Sequence, residues 1–553
     1  MRNYFINLFG ILILLCSAEL VGQNIPIILS DQKVAQKNYL PDFSFAGYHN
    51  GEMNLPDNEG KIIYAENHGV IPDDGLDDSK ALIHIVDSLR TVDEKVILQL
   101  PRGRIILSSI LYIERSNFVL RGYGSGVNGT EIYFPRPLMY VPKTETLAEL
   151  REYLVVHDKR QREKENNIDL PFSEYAWSGG FIWTQVPGER VKSYMGKYDR
   201  KQNVLAEVTD GERGEHRLTV GNTSNIEVGD VVELQLFNKE GEDGSIIKDL
   251  YKGADVKVGS HHWKFPTLPI VRQQVEIVAK TKNSVTIKSP LTIAIDPAYQ
   301  ARIVEWKHLK EVGIENFKVS FPKTPVVAHH VEPGNNGICL TRLFDSWVKD
   351  IVIDNADSGI LTEEIANVTI QDITTQGENL AHYTVALAGV HNVLVRNLKV
   401  FNEARHPLSF NTFSTKNVYS NCKVFKSPIL DQHSGANHQN LFDNIEVYVQ
   451  PNENNQYGLF MGGGAGYWKP SHGAYSTFWN LQVQFENVSD YSKPVLLDGM
   501  KDGNDARVVG VYSDIPVKVT YGPNAYIEKI NEKISVESLY KYQLEDRLRK
   551  GAK

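Results

Sequence analysis

Cysteine is scarce in this chain, with three in 553 residues, at positions 16, 339 and 422. That scarcity excludes a disulfide scaffold and a cysteine-rich zinc site. Beyond the first residues no apolar run reaches the ~18 residues of a membrane span, so no spanning helix is expected. A basic excess is lacking too: 59 Lys and Arg face 68 Asp and Glu, giving a net charge of -9. This balance argues against nucleic acid as a partner, and an acidic ligand would need a local cationic pocket.

The C-terminal half shows no helical periodicity. In its place a short phrase recurs: an apolar or neutral residue, any residue, Asn or Asp, an apolar residue, any residue, then usually Val. Its seven copies centre on Asn316, Asp350, Asp372, Asn397, Asn421, Asn444 and Asn480, at steps of 34, 22, 25, 24, 23 and 36 residues. A period of 22 to 25 residues, with two-residue alternation inside each copy, predicts an all-β parallel solenoid. The two long steps are expected to hold loops. Each coil packs only on its neighbours, so the length does not demand several compact domains.

Taken in order, residues 1–22 carry Arg2, an apolar core from Leu8 to Leu15 and small residues after it, which predicts a secretory signal peptide and export to the periplasm or beyond. Leu15 before Cys16 counts against lipid attachment. Residues 23–60 are expected to lie as an extended segment on the solenoid. The span 61–195 should hold the first coils, a capping amphipathic helix starting near Asp78, and a charged insertion at 138–174. Residues 196–300, with short alternating strands and Gly/Asn/Asp turns, predict a small inserted β-barrel-like module. A loop of that module, with His261, His262, Trp263 and Lys264, could lean over a cleft. The main coils occupy 301–525. A C-terminal helix closes the chain within 526–553, with Ser535 as its N-cap and the role of protecting the solenoid's other end. Cys339 and Cys422 should be buried free thiols.

The chemistry concentrates between Arg405 and His438. Counting back from the Asn/Asp markers sets residues of successive coils side by side. Asp357, His382 and His406 share one offset, His391, Thr415 and His438 another, and Arg342 aligns with Glu364 as a structural ion pair. Gln432 follows Ser409, and His433 follows Phe410. Arg405, His406, His433 and His438 are the candidate catalytic residues. His382, Gln432 and Asn437 are candidate substrate contacts, with Asp431 as a structural carboxylate. The Gly-rich loop 458–478 adds Tyr467, Trp468, Lys469, His472 and Tyr475 as a wall for sugar rings. Such a set suits β-elimination on a uronic acid. Arg neutralises the carboxylate in a planar fork, and a base and an acid handle the C5 proton and the O4 leaving group. Which histidine is the base stays open, and Tyr383 or Tyr475 could replace one of them. No cofactor is expected; Ca²⁺ on carboxylates is the metal considered first, yet no compact acidic ladder appears, and zinc through the histidines is the lesser alternative.

GVIPDDGLDDSKAL, VILQLPRGRIIL and NFVLRGYGSGVNGTEIYFP resemble the opening coils of pectate-lyase-like right-handed parallel β-helix proteins. That resemblance implies the fold and leaves the reaction open. The paired RH and H...NH...NLFDNI phrases are similar to β-helix proteins of bacterial polysaccharide degradation, including those acting on ulvan. From that likeness comes the expectation of an acidic, sulfated uronic-acid glycan as partner, attacked by a lyase or by a dehydratase at a terminal uronate. Two other readings compete. A glycoside hydrolase needs paired carboxylates ~5–9.5 Å apart, with Asp354, Asp357, Glu363, Glu364, Glu403 and Asp431 as candidates. The other is a glycan-binding solenoid without catalysis.

Overall fold

The seven marker residues turn out to be corners. Asn316, Asp350, Asp372, Asn397, Asn421, Asn444 and Asn480 all adopt left-handed backbone conformations, with φ between 51° and 64°. Asn and Asp tolerate that region best among residues with a Cβ. Their side chains also join successive coils: Asn397 Nδ2 donates to Asp372 Oδ1 (2.8 Å), Asn444 to Asn421 (2.6 Å) and Asn480 to Asn444 (2.9 Å). The repeat read in the sequence is therefore a ladder of bends.

The computed structural model describes residues 24–57, 60–142, 144, 148, 175–190, 202–238, 244–251, 258, 268–433, 435–463, 469–499 and 503–551. The expected signal peptide, most of the charged insertion and the loop with His261 to Lys264 lie outside these residues, as do Tyr467 and Trp468. The described chain is a parallel β-helix. A long sheet bends at the markers and runs from Lys61–Tyr64 to Tyr526–Ile530. A second sheet stacks seven parallel strands: Leu111–Ile113, Ile182–Thr184, Asn336–Thr341, Ser358–Glu363, Ala381–Leu387, Ala404–Phe410 and Leu430–Gln432. This second sheet carries the site. Between the sheets lies a continuous apolar core in which Phe410, Phe442 and Phe478 stack from coil to coil.

The inserted module is a closed six-stranded barrel built from strands between Val204 and Glu305. It is bolted to the helix by buried charge. Glu364 of the solenoid receives Arg272 of the barrel at 3.0 Å and Arg190 at 2.9 Å. The expected Arg342–Glu364 ion pair is not formed among the described residues: Glu364 is taken by Arg190 and Arg272, and Arg342 stands 3.8 Å from Glu189 and acts on Glu364 through its charge alone. The capping helix is Ser79–Ser88, with Asp78 at its N-cap and Leu82, Ile85 and Val86 buried. Cys339 and Cys422 are both buried.

The C-terminal helix differs in place and in cap. It runs from Leu539 to Gly551, and Ser538, not Ser535, accepts the Lys541 N–H (3.1 Å). Buried Asp443 explains the shift, because it takes the Ser538 hydroxyl (2.5 Å) and the Leu539 N–H (2.7 Å) and so fixes the first turn. Leu539 and Tyr540 pack with Ile28, Phe43 and Ala46 over Leu394, Val418 and Leu441. The helix thus covers the flank of the long sheet. The N-terminal segment lies on the same flank and includes two short helices, Ile27–Ser30 and Gln32–Lys37.

Candidate functional site

Two neighbouring strands and the turn after them deliver the central group. Ala404–Phe410 carries His406, and Leu430–Gln432 carries Asp431, with His433 next in the chain. Pairing sets Ser409 beside Asp431, which brings the Asp431 carboxylate between two imidazoles. His406 Nδ1 is 3.0 Å and His433 Nδ1 3.4 Å from Asp431 Oδ2, and the two ring centroids are 4.5 Å apart. Ser409 Oγ donates to the same oxygen (2.7 Å) and Gly463 N to the other (3.2 Å). Burial alone would raise the Asp431 carboxyl, but His406 and His433 hold it well below the usual carboxylate range. Asp431 is thus an anion surrounded by donors.

That arrangement fixes a tautomer. With Nδ1–H of His406 turned to Asp431, Nε2 carries the lone pair. His406 Nε2 is buried and has no partner among the described residues. Burial, against the pull of Asp431, lowers the pKa of His406 and keeps the ring neutral. Tyr383 stacks on it, with centroids 4.9 Å apart, and accepts a hydrogen bond from Asn411 (3.3 Å). The loop closes tightly on the other ring: a Cβ on Gly463 would stand 2.0 Å from His433 Nδ1. Any larger residue there would force the His433 ring to move.

Arg405 is exposed, and its charge reaches His329, His330, Glu332, His382 and His406. A cleft of about 620 Å³ opens at Glu403, two residues before it, lined also by Phe425, Lys426, Tyr448, Gln456 and Tyr457. The lining of this cleft includes none of Arg405, His406, Asp431 and His433, so the site is defined by the cationic group and the carboxylate-oriented imidazole pair.

Not every expected residue joins them. His438 belongs to a ladder with His391 and Thr415, as its offset indicated, but it is fully buried and hydrogen-bonds the Ala436 carbonyl (3.1 Å). Burial pushes it down to about 3. It lies buried, outside the His406–His433 pair. Asn437 ties the Gly-rich loop through the Ser471 carbonyl (2.8 Å), while Lys469 bonds the Ser471 hydroxyl. His472 hydrogen-bonds the Tyr521 hydroxyl (3.0 Å). Tyr475 receives Arg213 of the barrel (3.3 Å) and meets Tyr39 edge-on. These four hold the loop and its neighbours in place. Gln432 follows Phe410 in register and is buried, with both side-chain polar atoms unpartnered among the described residues.

His382 does reach the site, its ring 5.4 Å from that of His406, and it brings a group that the sequence reading missed. His329 and His330 lie in the loop within the 34-residue step, before Asn336–Thr341, with centroids 4.6 and 5.6 Å from His382. Asp357 pins the base of this loop by accepting Gly334 N (3.1 Å), Asn335 N (2.8 Å) and Asn335 Nδ2 (3.2 Å). Ligand atoms of His329, His330 and His382 lie within 4.8 Å of one another, as do those of His406, Asp431 and His433. Either trio could hold a metal ion. In the second, both Nδ1 atoms face the carboxylate, at 3.0 and 3.4 Å.

The carboxylates proposed for hydrolysis are mostly engaged elsewhere. Asp354 pairs with Lys318 (3.0 Å), Asp357 holds the loop, Glu364 meets two arginines and Asp431 lies between histidines.

No protein-family model matches the chain, and no curated protein matches it. Solved structures do resemble it. One is the tailspike protein gp49 from Pseudomonas phage LKA1, at 12% identity and TM-score 0.45, covering 84% of this chain and 79% of the other. Another is the DFA-IIIase from Arthrobacter chlorophenolicus A6, at 9% identity and TM-score 0.38, covering 85% and 94%. A third is the A-module of the mannuronan C-5 epimerase AlgE4 from Azotobacter vinelandii, at 10% identity and TM-score 0.36, covering 85% and 96%. Likenesses this distant carry no argument about the reaction.

Proposed function

We propose that the protein is a glycan-acting carbon–oxygen lyase that performs β-elimination at a uronic acid residue. The observation that supports this most is the pair of imidazoles on one buried carboxylate, beside an exposed guanidinium. In the proposed step Arg405 neutralises the substrate carboxylate, which makes the C5 proton more acidic. His406 Nε2 takes that proton. The C5–H electron pair becomes the C4=C5 bond, the C4–O4 bond breaks, and a proton from His433 goes to O4. The leaving group is then a sugar hydroxyl in a polysaccharide, or water when the uronate is terminal.

The substrate class favoured is an acidic, ulvan-type sulfated glycan, on the sequence resemblance alone. Export and an extracellular or periplasmic site of action belong to the same proposal. A panel of uronic-acid polymers and oligosaccharides tests it, followed by the ultraviolet absorbance of an unsaturated uronate and by product mass. His406→Ala and His433→Ala should each lower the rate by at least ~100-fold with the fold retained. Wild-type rates in both variants would overturn the assignment.

A further inference from the structure

The proton-transfer scheme leaves His329, His330, His382 and Glu332 without a role, yet their geometry is specific. His329 Nε2 and His382 Nε2 face each other at 3.3 Å. A tetrahedral zinc with Zn–N bonds of about 2.0–2.1 Å places two ligand nitrogens about 3.3–3.4 Å apart. The observed separation fits that spacing. An imidazole-to-imidazole hydrogen bond would also bring the two nitrogens together, but it gives no reason for a third imidazole. His330 supplies that third ring, and its ligand atom falls within the same 4.8 Å group.

The surroundings point the same way. Glu332 Oε1 lies 3.2 Å from His382 Nδ1, on the side of the ring away from His329, an ion-pair distance at which Nδ1 makes no aligned hydrogen bond among the described residues. A carboxylate on the far nitrogen of a metal-bound imidazole is the usual means of fixing its tautomer and strengthening it as a donor. Glu332 is 5% exposed, and its second oxygen is buried without a partner among the described residues. An uncompensated buried carboxylate is costly unless positive charge lies nearby. Asp357 holds the loop so that these groups stay over His382. Metal binding is thus prepared by three separate features: ligand spacing, outer carboxylate and loop anchor.

We infer that His329, His330 and His382 bind one divalent transition ion of the zinc class, with Glu332 orienting His382. Three imidazoles leave a fourth position open, as in catalytic zinc sites. His406 lies next to it, its ring 5.9 Å from His329 and 5.4 Å from His382. Resting on the elimination reading, the ion's place in the reaction is as a Lewis acid that shares the uronate carboxylate with Arg405. The site itself does not depend on that reading. It departs from the expectation of no cofactor.

The test uses the full chain after chelator treatment, titrated with Zn²⁺ by calorimetry and with Co²⁺ by visible absorption. One ion per chain is expected, with the Co²⁺ spectrum of a tetrahedral site. His329→Ala and His330→Ala should each weaken binding at least ~100-fold, and Glu332→Gln by about 10–100-fold. His433→Ala should bind as the wild type does, because it belongs to the other trio. His329 and His330 are both half-buried in this loop, so each substitution should fold, and thermal unfolding checks that it does. No saturable binding, or binding that survives His330→Ala, would overturn the inference. So would binding lost in His433→Ala alone. If the ion binds as described and no uronate is eliminated, the metal site stands and the elimination reading falls.

Discussion

Replacing Asp431 by Asn probes the proposed proton relay with almost no change in shape. Among the described residues the neighbours of this carboxylate are donor groups: Gly463 N on one oxygen, Ser409 Oγ and His406 Nδ1 (3.0 Å) on the other, and His433 Nδ1 facing it at 3.4 Å without an aligned hydrogen bond. An amide has one acceptor and one donor end, so either orientation sets an N–H against another donor. Facing the rings, the amide N–H forces Nδ1 to accept, and the proton moves to Nε2. His406 then has no lone pair where the C5 proton must go. Loss of general base catalysis typically costs 10²–10⁴ in rate, about 3–5 kcal/mol at 1.36 kcal/mol per decade. Asp431 does not touch the substrate in this scheme, so the loss should appear in kcat with KM little changed. Steady-state kinetics on the unsaturated product measures both, with thermal unfolding as the check on folding. A kcat within tenfold of wild type, or a loss confined to KM, would refute the relay.

Arg405→Ala removes the proposed carboxylate clamp, and kcat/KM should fall roughly ten- to hundredfold, the equivalent of about 1.5–3 kcal/mol for a charge-assisted hydrogen bond. Arg405→Lys should recover part of it, and full activity in the alanine variant would contradict the role. Gly463→Ala places a methyl group 2.0 Å from His433 Nδ1, so the ring must move and activity should drop while circular dichroism stays unchanged. Wild-type kinetics there would mean that the His433 position does not matter. For acid stability, burial takes His391 and His438 from 6.5 in the unfolded chain to about 3 in the folded one. Between those values the unfolded chain binds more protons, so stability falls as pH drops from 6.5 toward 3, by on the order of 5 kcal/mol per residue. Asp443 and Asp345, raised by burial to about 6, and Glu233, raised to about 7, oppose this, but burial also lowers His330 to about 4 and His329 and His382 further, so the histidines prevail. Denaturant midpoints that stay flat from pH 7 to pH 4 would contradict this balance.

The sequence made the scaffold legible because its corners need a particular residue type. Asn and Asp recur where φ is positive, so their spacing reports the coil length directly. Registers next to the markers were accordingly right: His391, Thr415 and His438 do align. On the site sheet the same count slips by one. His406 aligns with Tyr383, where His382 was expected, and Gln432 aligns with Phe410, where His433 was expected. Leu387, Phe410 and Gln432 are register partners, yet they precede His391, Thr415 and His438 by 4, 5 and 6 residues. The turn between them grows by one residue per coil, and counting from the markers cannot detect that. It also explains why His438 parts from His433 although they are five residues apart in sequence. His329 and His330 went unread because they lie in a non-repeating loop. The doublet inside an overlong 34-residue step was the available signal.

The most direct test of the account is the product formed from a uronate oligosaccharide by the wild-type protein, read by mass and ultraviolet absorbance together. The proposed chemistry predicts a C4=C5 unsaturated uronate, released with a sugar hydroxyl or with water as the leaving group. A saturated product with a new reducing end would contradict it and return the carboxylates to the centre of the mechanism.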